Sequence, residues 1–151
     1  MCSVIAYCLM PNHYHLLVYV SDKNEALTLI QNQQSLVRKI GTVQSSYSQG
    51  INKQQKRTGS LFQQKSKSKV LETNDYARTC IHYIHQNPMR AGLVIKMEEW
   101  KYSSFNAYHK NIEGICNLKL ARELIDITEE SERFYKESYE MIQESDAKKI
   151  I

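Results

Sequence analysis

The stretch VIAYCLMPNHYHLLVYV, Val4 to Val20, decides the fold. Two runs rich in β-branched and aromatic residues, Val4 to Leu9 and His13 to Val20, flank Met-Pro-Asn, and this pattern predicts strand, turn, strand. Proline has no backbone N–H to give to a ladder, so Pro11 belongs to the turn. Side chains alternate along a strand, which puts His13 and His15 on one face with Cβ atoms about 7 Å apart, and Tyr14, Leu16 and Val18 on the other. Two imidazoles on one face can hold one metal ion. Pro11 and Asn12 set the pair at the start of its strand, open to a ligand from the loop side.

Outward from the hairpin, apolar residues recur at near-helical period at Leu27, Ile30, Val37, Ile40, Val43 and Tyr47, predicting a helix from Glu25 to about Tyr47. Gly50 to Ser60 is polar and basic and reads as a loop. Leu61 to Val70 alternates Lys65, Lys67 and Lys69 with serine and reads as an extended segment with the three lysines on one face. Thr73 or Asn74 caps a second helix, with Asp75 in its first turn and Ala77, Cys80, Ile81 and Ile84 on its apolar side, stopping at Pro88. A connection over Arg90 to Glu99 leads to the aromatic cluster Trp100, Tyr102, Phe105 and Tyr108, and one or two acidic helices follow. The order predicts an α+β protein.

The chain has 151 residues, 42% hydrophobic and 24% charged, which is one ordinary soluble domain and excludes wholesale disorder, collagen-like repeats and coiled coil. The longest apolar runs are far short of the roughly 20 residues a membrane span needs, so a cytoplasmic protein without a membrane partner is expected. Cys2, Cys8, Cys80 and Cys116 show no metal spacing, so reduced thiols are expected. The net charge of +4 hides a strong asymmetry. Between Ala26 and Leu71 stand Arg38, Lys39, Lys53, Lys56, Arg57, Lys65, Lys67 and Lys69 with no Asp or Glu, whereas residues 111–151 hold six basic and ten acidic residues. A basic block of this kind points to a polyanion, or otherwise to a solvated helix face and loop.

The third ligand of a metal on the histidine pair decides its chemistry. Thiolates would suit structural zinc. An amide or carboxylate oxygen, with positions left for phosphate oxygens, would suit Mg²⁺ or Mn²⁺ acting in phosphoryl transfer. His82, His85 and Asn87 are candidates on the helix ending at Pro88.

The segment Ala6-Tyr-Cys-Leu-Met-Pro-Asn-His-Tyr-His-Leu-Leu-Val18 resembles the REP-associated tyrosine transposases and their single-strand insertion-sequence relatives in the HUH endonuclease superfamily. Gly59-Ser-Leu-Phe-Gln63, Tyr83-Ile-His-Gln-Asn-Pro-Met-Arg-Ala-Gly-Leu-Val94 and Trp100-Lys-Tyr-Ser-Ser104 match in order, from about residue 4 to about residue 108. The resemblance implies that His13 and His15 are metal ligands, that Asn87 is the third, and that Tyr83 is the catalytic nucleophile. Residues four apart share a helix face, so Tyr83 and Asn87 can serve one metal. The implied reaction is attack of the Tyr83 hydroxyl on single-stranded DNA, giving a 5′-phosphotyrosine and a free 3′-OH with Mg²⁺ or Mn²⁺ assisting. Tyrosine's ordinary pKa of about 10 calls for a nearby cation or base, with His85 or a lysine as candidates.

On the same resemblance the basic block, with Arg90, becomes the contact surface for single-stranded, hairpin-containing DNA, Arg57, Lys65, Lys67 and Lys69 first. The implied fold is a ferredoxin-like (RRM-like) antiparallel sheet with helices on one face. The first strand and helix of the family domain would be lacking, leaving an edge that a second subunit of a homodimer could fill. Residues 1–110 are expected to form the HUH domain and residues 111–151 an acidic helical extension. The rival expectations are a non-catalytic nucleic-acid-binding remnant of such a transposase, and a structural metal module without DNA.

Overall fold

A computed structural model describes residues 2–21, 29–64, 66–140 and 142. The chain forms two compact units, Met1–Ser21 with Leu71–Ile151, and Asp22–Val70 between them. No helix among the described residues is long and apolar enough to cross a membrane.

In the first unit β1 (Cys2–Leu9) and β2 (Tyr14–Val20) pair antiparallel, from Cys2 opposite Val20 to Leu9 opposite Tyr14. The turn is closed by Met10 N–H donating to the His13 carbonyl at 2.8 Å, with Pro11 outside the ladder as expected. His13 therefore belongs to the turn, and the strand begins one residue later than the pattern predicts. A bulge at Ile5, between Val4 and Ala6, lets Ile5, Ala6 and Cys8 all be buried. The far edge of β1 is covered by residues 102–104, with Leu9 N–H to Tyr102 O at 2.8 Å, Ser104 N–H to Tyr7 O at 2.9 Å, and a bridge between Cys8 and Ser103. The sheet itself has two strands among the described residues.

Helix α2 (Asn74–Arg90) starts where its signals say, with Thr73 Oγ1 accepting from Tyr76 N–H at 3.2 Å. It runs two residues beyond the stop expected at Pro88. Proline here removes one hydrogen bond of the last turn, and Ala91 N–H to Asn87 O and Leu93 N–H to Pro88 O close the end, with Gly92 at φ 69° making the left-handed turn. Every residue from Cys80 to Gln86 is buried, so α2 is enclosed on nearly all sides. A 3-10 turn (Met97–Glu99) and α3 (Phe105–His109), α4 (Leu118–Ile125) and α5 (Ser131–Tyr139) complete the unit.

The acidic end is built into this core. Cys116, Leu118, Ala121, Ile125, Ile127 and Phe134 join Ile5, Ile81, Ile84, Phe105 and Tyr108 in one apolar cluster. The Phe134 ring stacks on Tyr108 with centroids 5.4 Å apart, a burial worth roughly 1.5–3 kcal/mol. Tyr139 and Tyr135 hydroxyls donate to the Glu98 carboxylate at 2.8 and 3.1 Å, tying α5 to the 3-10 turn. All four cysteines are free.

In the second unit α1 (Leu29–Gln54) extends seven residues past the expected end, through Gly50, because Ile51 continues the helical period. Its expected start at Glu25 lies outside the described residues. The extended reading of Leu61 to Val70 is corrected: its described residues form no strand. Lys and Ser in alternation offer no apolar face to bury, and among the described residues no strand supplies ladder partners. Gln44 Nε2 of α1 donates to Ser66 Oγ of the segment at 3.1 Å, and Asn52 Nδ2 donates to Gly59 O just before it at 2.7 Å.

Candidate active site

The hairpin and α2 bring two histidines and a tyrosine together. The His13 and His15 rings meet edge to face at 5.0 Å, and the His15 ring meets that of Tyr83 in the same manner at 5.9 Å. His13 comes from the turn, His15 stands opposite Cys8 on β2, and Tyr83 comes from the middle of α2. Asn12 Oδ1 lies 2.6 Å from His13 Nδ1. A carbonyl oxygen only accepts, so Nδ1 carries the proton and the Nε2 lone pair is left for a ligand. Asn12 was not singled out in the sequence; its place directly before His13 was the available signal.

His15 Nε2 is buried and has no hydrogen-bond partner. Such an orphan costs about 1–3 kcal/mol unless something satisfies it. Burial, and secondarily the neighbouring His13, lower the His15 pKa, which favours the neutral imidazole that a metal requires. An orphaned nitrogen beside a second oriented imidazole fits a bound divalent cation. Among the described residues, no third His, Cys, Asp or Glu joins the pair. The Asn87 side chain lies one turn beyond Tyr83 and donates from Nδ2 to the Tyr83 carbonyl at 2.8 Å, a bond that leaves Oδ1, the ligating atom of an amide, uncommitted.

Tyr83 is 6% exposed, and desolvation raises its phenol pKa. Arg90 opposes that effect, its guanidinium carbon 5.8 Å from the ring centroid, and Cys80 adds slightly to it. Arg90 was expected to contact DNA; the structure also makes it the cation beside the phenol, seven residues and two helical turns on.

His82 and His85 are corrected as candidate ligands, and His85 as a helper of Tyr83. One and two residues from it on a helix, they point about 100° and 200° around the axis. His85 is fully buried, with Nε2 2.7 Å from Ser104 Oγ, among the rings of Phe105, Tyr108 and Phe134. His82 Nδ1 meets Ser138 Oγ of α5 at 3.0 Å. Both serve the core.

The basic residues divide between the units. Arg38 and Lys39 are exposed on α1, and Lys53 is in its last turn. Lys56 takes a left-handed backbone (φ 50°) that ends the helix, and Arg57 follows, its N–H bonded to Asn52 O at 3.0 Å. Lys67 and Lys69 are exposed in the coil that follows, and Lys65 lies outside the described residues. Arg90 belongs to the first unit.

The chain is similar to a REP-associated tyrosine transposase. That protein, from Haemophilus influenzae, is 25% identical over 114 residues, which is 74% of this chain and 62% of the relative. The chain thus matches somewhat less than two thirds of the transposase's length. No family model matches the chain, and no solved structure does either. The likeness to the transposase suggests a transposase-like function.

Proposed function

We propose that this chain is a single-stranded DNA strand transferase of the tyrosine-transposase type, with Tyr83 as nucleophile. The contact of the His15 and Tyr83 rings, between residues 68 positions apart in sequence, is the observation that carries the reading. The phenol oxygen bonds to the scissile phosphorus as the bond from phosphorus to the 3′ oxygen breaks. The phenol gives up its proton, the 3′ oxygen gains one, and the products are a 5′-phosphotyrosine and a free 3′-OH. Bond energy is conserved in the ester, so rejoining needs no nucleotide cofactor.

His13 and His15, with Asn87 Oδ1 as third donor, would hold Mg²⁺ or Mn²⁺, which supplies Lewis-acid polarisation of the phosphate. The protein's own groups do the rest. α2 holds the phenol in place, and Arg90 stabilises developing negative charge on its oxygen. Arg38, Lys39, Lys53, Lys56, Arg57, Lys65, Lys67 and Lys69 supply phosphate contacts along the strand. The fold that accommodates this reading is a ferredoxin-like domain of which β1, β2 and α2 form the catalytic part, with hairpin-containing DNA as partner.

Protein incubated with Mn²⁺ and a hairpin oligonucleotide should give a covalent adduct, absent with Tyr83→Phe. No adduct from the wild type, or an undiminished one from the variant, would overturn the assignment. The rival reading, a non-catalytic DNA-binding remnant, draws on the lack of a third His, Cys, Asp or Glu beside the pair among the described residues. It predicts salt-sensitive DNA binding that is unchanged when His13 and His15 become alanine.

A further inference from the structure

The sheet face opposite α2 carries apolar and aromatic groups in the open. Leu9 stands across from Tyr14 on one side and is hydrogen bonded to Tyr102 on the other. Cross-strand partners share a face, so Tyr14, Leu9 and Tyr102 form one row at about 4.8 Å spacing, while Cys8, His15 and Ser103 form the next row on the α2 side. Tyr102 is 56% exposed, Leu9 50% and Leu16, two residues beyond Tyr14, 39%. A large aromatic left this open is informative where a lone exposed leucine is not.

The row is rigid. Trp100 Nε1 donates to the Leu9 carbonyl at 3.0 Å, and its ring meets that of Tyr102 edge to face at 5.7 Å, so the tryptophan ties the tyrosine to β1. The row also abuts the turn that carries His13, whose carbonyl accepts from Met10 N–H. Its charge is one-sided. Residues 1–20 and 100–112 contain no Asp or Glu, and the exposed Lys101 stands between the two aromatics. Of the carboxylates that precede Trp100, Glu98 is bonded by Tyr135 and Tyr139, and Glu99 accepts from the N–H groups of Ile95 and Lys96.

We propose that Tyr102, with Leu9 and Tyr14, is a stacking platform for unpaired bases of the nucleic-acid strand that runs past His13. The proposal rests on the reading of Tyr83 and the histidine pair as a single-strand DNA site, and it names where the bases next to the reacting phosphate go. An aromatic face accepts any base, and Lys101 meets the adjoining phosphate. Duplex DNA, whose base faces are occupied, gains nothing from such a row.

Trp100, the sole tryptophan of the chain, reports on the platform from 5.7 Å away. The full chain, with metal chelated so that binding is separate from cleavage, is titrated with an oligothymidylate of about 20 nucleotides and with a deoxyribose-phosphate strand of the same length lacking bases. The expected result is saturable quenching of Trp100 and a preference of roughly tenfold for the strand with bases, the size of one good base–aromatic stack. Tyr102→Ala should abolish the preference, Tyr102→Phe should restore it, and Tyr83→Phe should leave it intact.

Equal binding of both strands by the wild type, or a preference that survives Tyr102→Ala, overturns the platform. If the Tyr83 adduct still forms with hairpin DNA in that case, the catalytic reading stands alone. Preference without adduct leaves the platform and removes catalysis. Sedimentation showing a dimer that Tyr102→Ala dissolves, with DNA binding untouched, would assign the face to a second copy of the chain and overturn the proposal.

Discussion

Lowering the pH from 7 to 5 should strip several kcal/mol from the first unit, because two histidines are buried there uncharged. His85 is wholly enclosed, and desolvation, reinforced by His82, pushes its pKa down to about 3. His82 is lowered to about 4, again mainly by desolvation, with Glu137 opposing and Arg78 assisting. In the unfolded chain both revert to about 6.5. A folded value below the unfolded one means the stability is fully present above pH 6.5 and is lost as pH falls toward the folded values, since the unfolded state takes up the protons. At pH 5 each unfolded imidazole is almost fully protonated and each folded one is not, so the loss relative to pH 7 is roughly 2 kcal/mol per histidine and about 4 for the pair. That is a large part of the stability of a domain this size. Urea unfolding followed by Trp100 fluorescence and far-ultraviolet circular dichroism at pH 7, 6 and 5 measures it directly. Replacing both histidines by glutamine lowers stability at all pH values but should flatten its pH dependence. A wild type equally stable at pH 7 and 5, or a double variant with the wild-type slope, would refute the reasoning.

Phe134→Ala should cost about 3–5 kcal/mol in the same assay, because its ring stacks on Tyr108 and lies against His82, His85 and Phe105; a loss under 1 kcal/mol would show that α5 does not belong to the core. Mn²⁺ should raise the melting temperature of the wild type in proportion to its occupancy, and neither His13→Ala nor His15→Ala should respond. An equal shift in all three would place the ion elsewhere. Arg90→Gln should slow adduct formation while leaving the amount of folded protein unchanged, read by single-turnover kinetics; an unaltered rate would remove Arg90 from the site.

The elements legible in the sequence are those whose signals are local. A proline between two apolar runs leaves few alternatives to a hairpin, and Thr73 followed by a helical period sets the start of α2. Leu61 to Val70 misleads because alternation states only that a strand would have two faces; whether a neighbour exists is a tertiary fact. Pro88 misleads for a smaller reason, since a proline in the last turn forfeits one bond and the chain beyond it recloses the helix. The acidic end hides its role because its ten carboxylates dominate the composition, although Leu118, Ala121 and Ile125 line one side of α4.

The site was less legible than the fold, and the reason is the same. His13 and His15 are two positions apart, one in the turn and one on β2, so their meeting is a local feature that the hairpin reading anticipates. Tyr83 joins them across 68 positions, and no local rule brings it there; family resemblance supplied that pairing, and the His15 ring contact now gives it a physical form. Arg90 was visible only as one more positive charge, because its nearness to the phenol depends on two turns of helix running on past a proline. The two histidines of α2 show the converse. His-rich sequence around a tyrosine invites a catalytic role for each imidazole, yet the helix turns His82 and His85 toward α5 and the Phe134 cluster, where they must stay neutral. α2 thus separates its titratable groups by face: Tyr83 meets the histidine pair beside the Arg90 guanidinium, whereas His82 and His85 turn into a core whose desolvation holds them neutral.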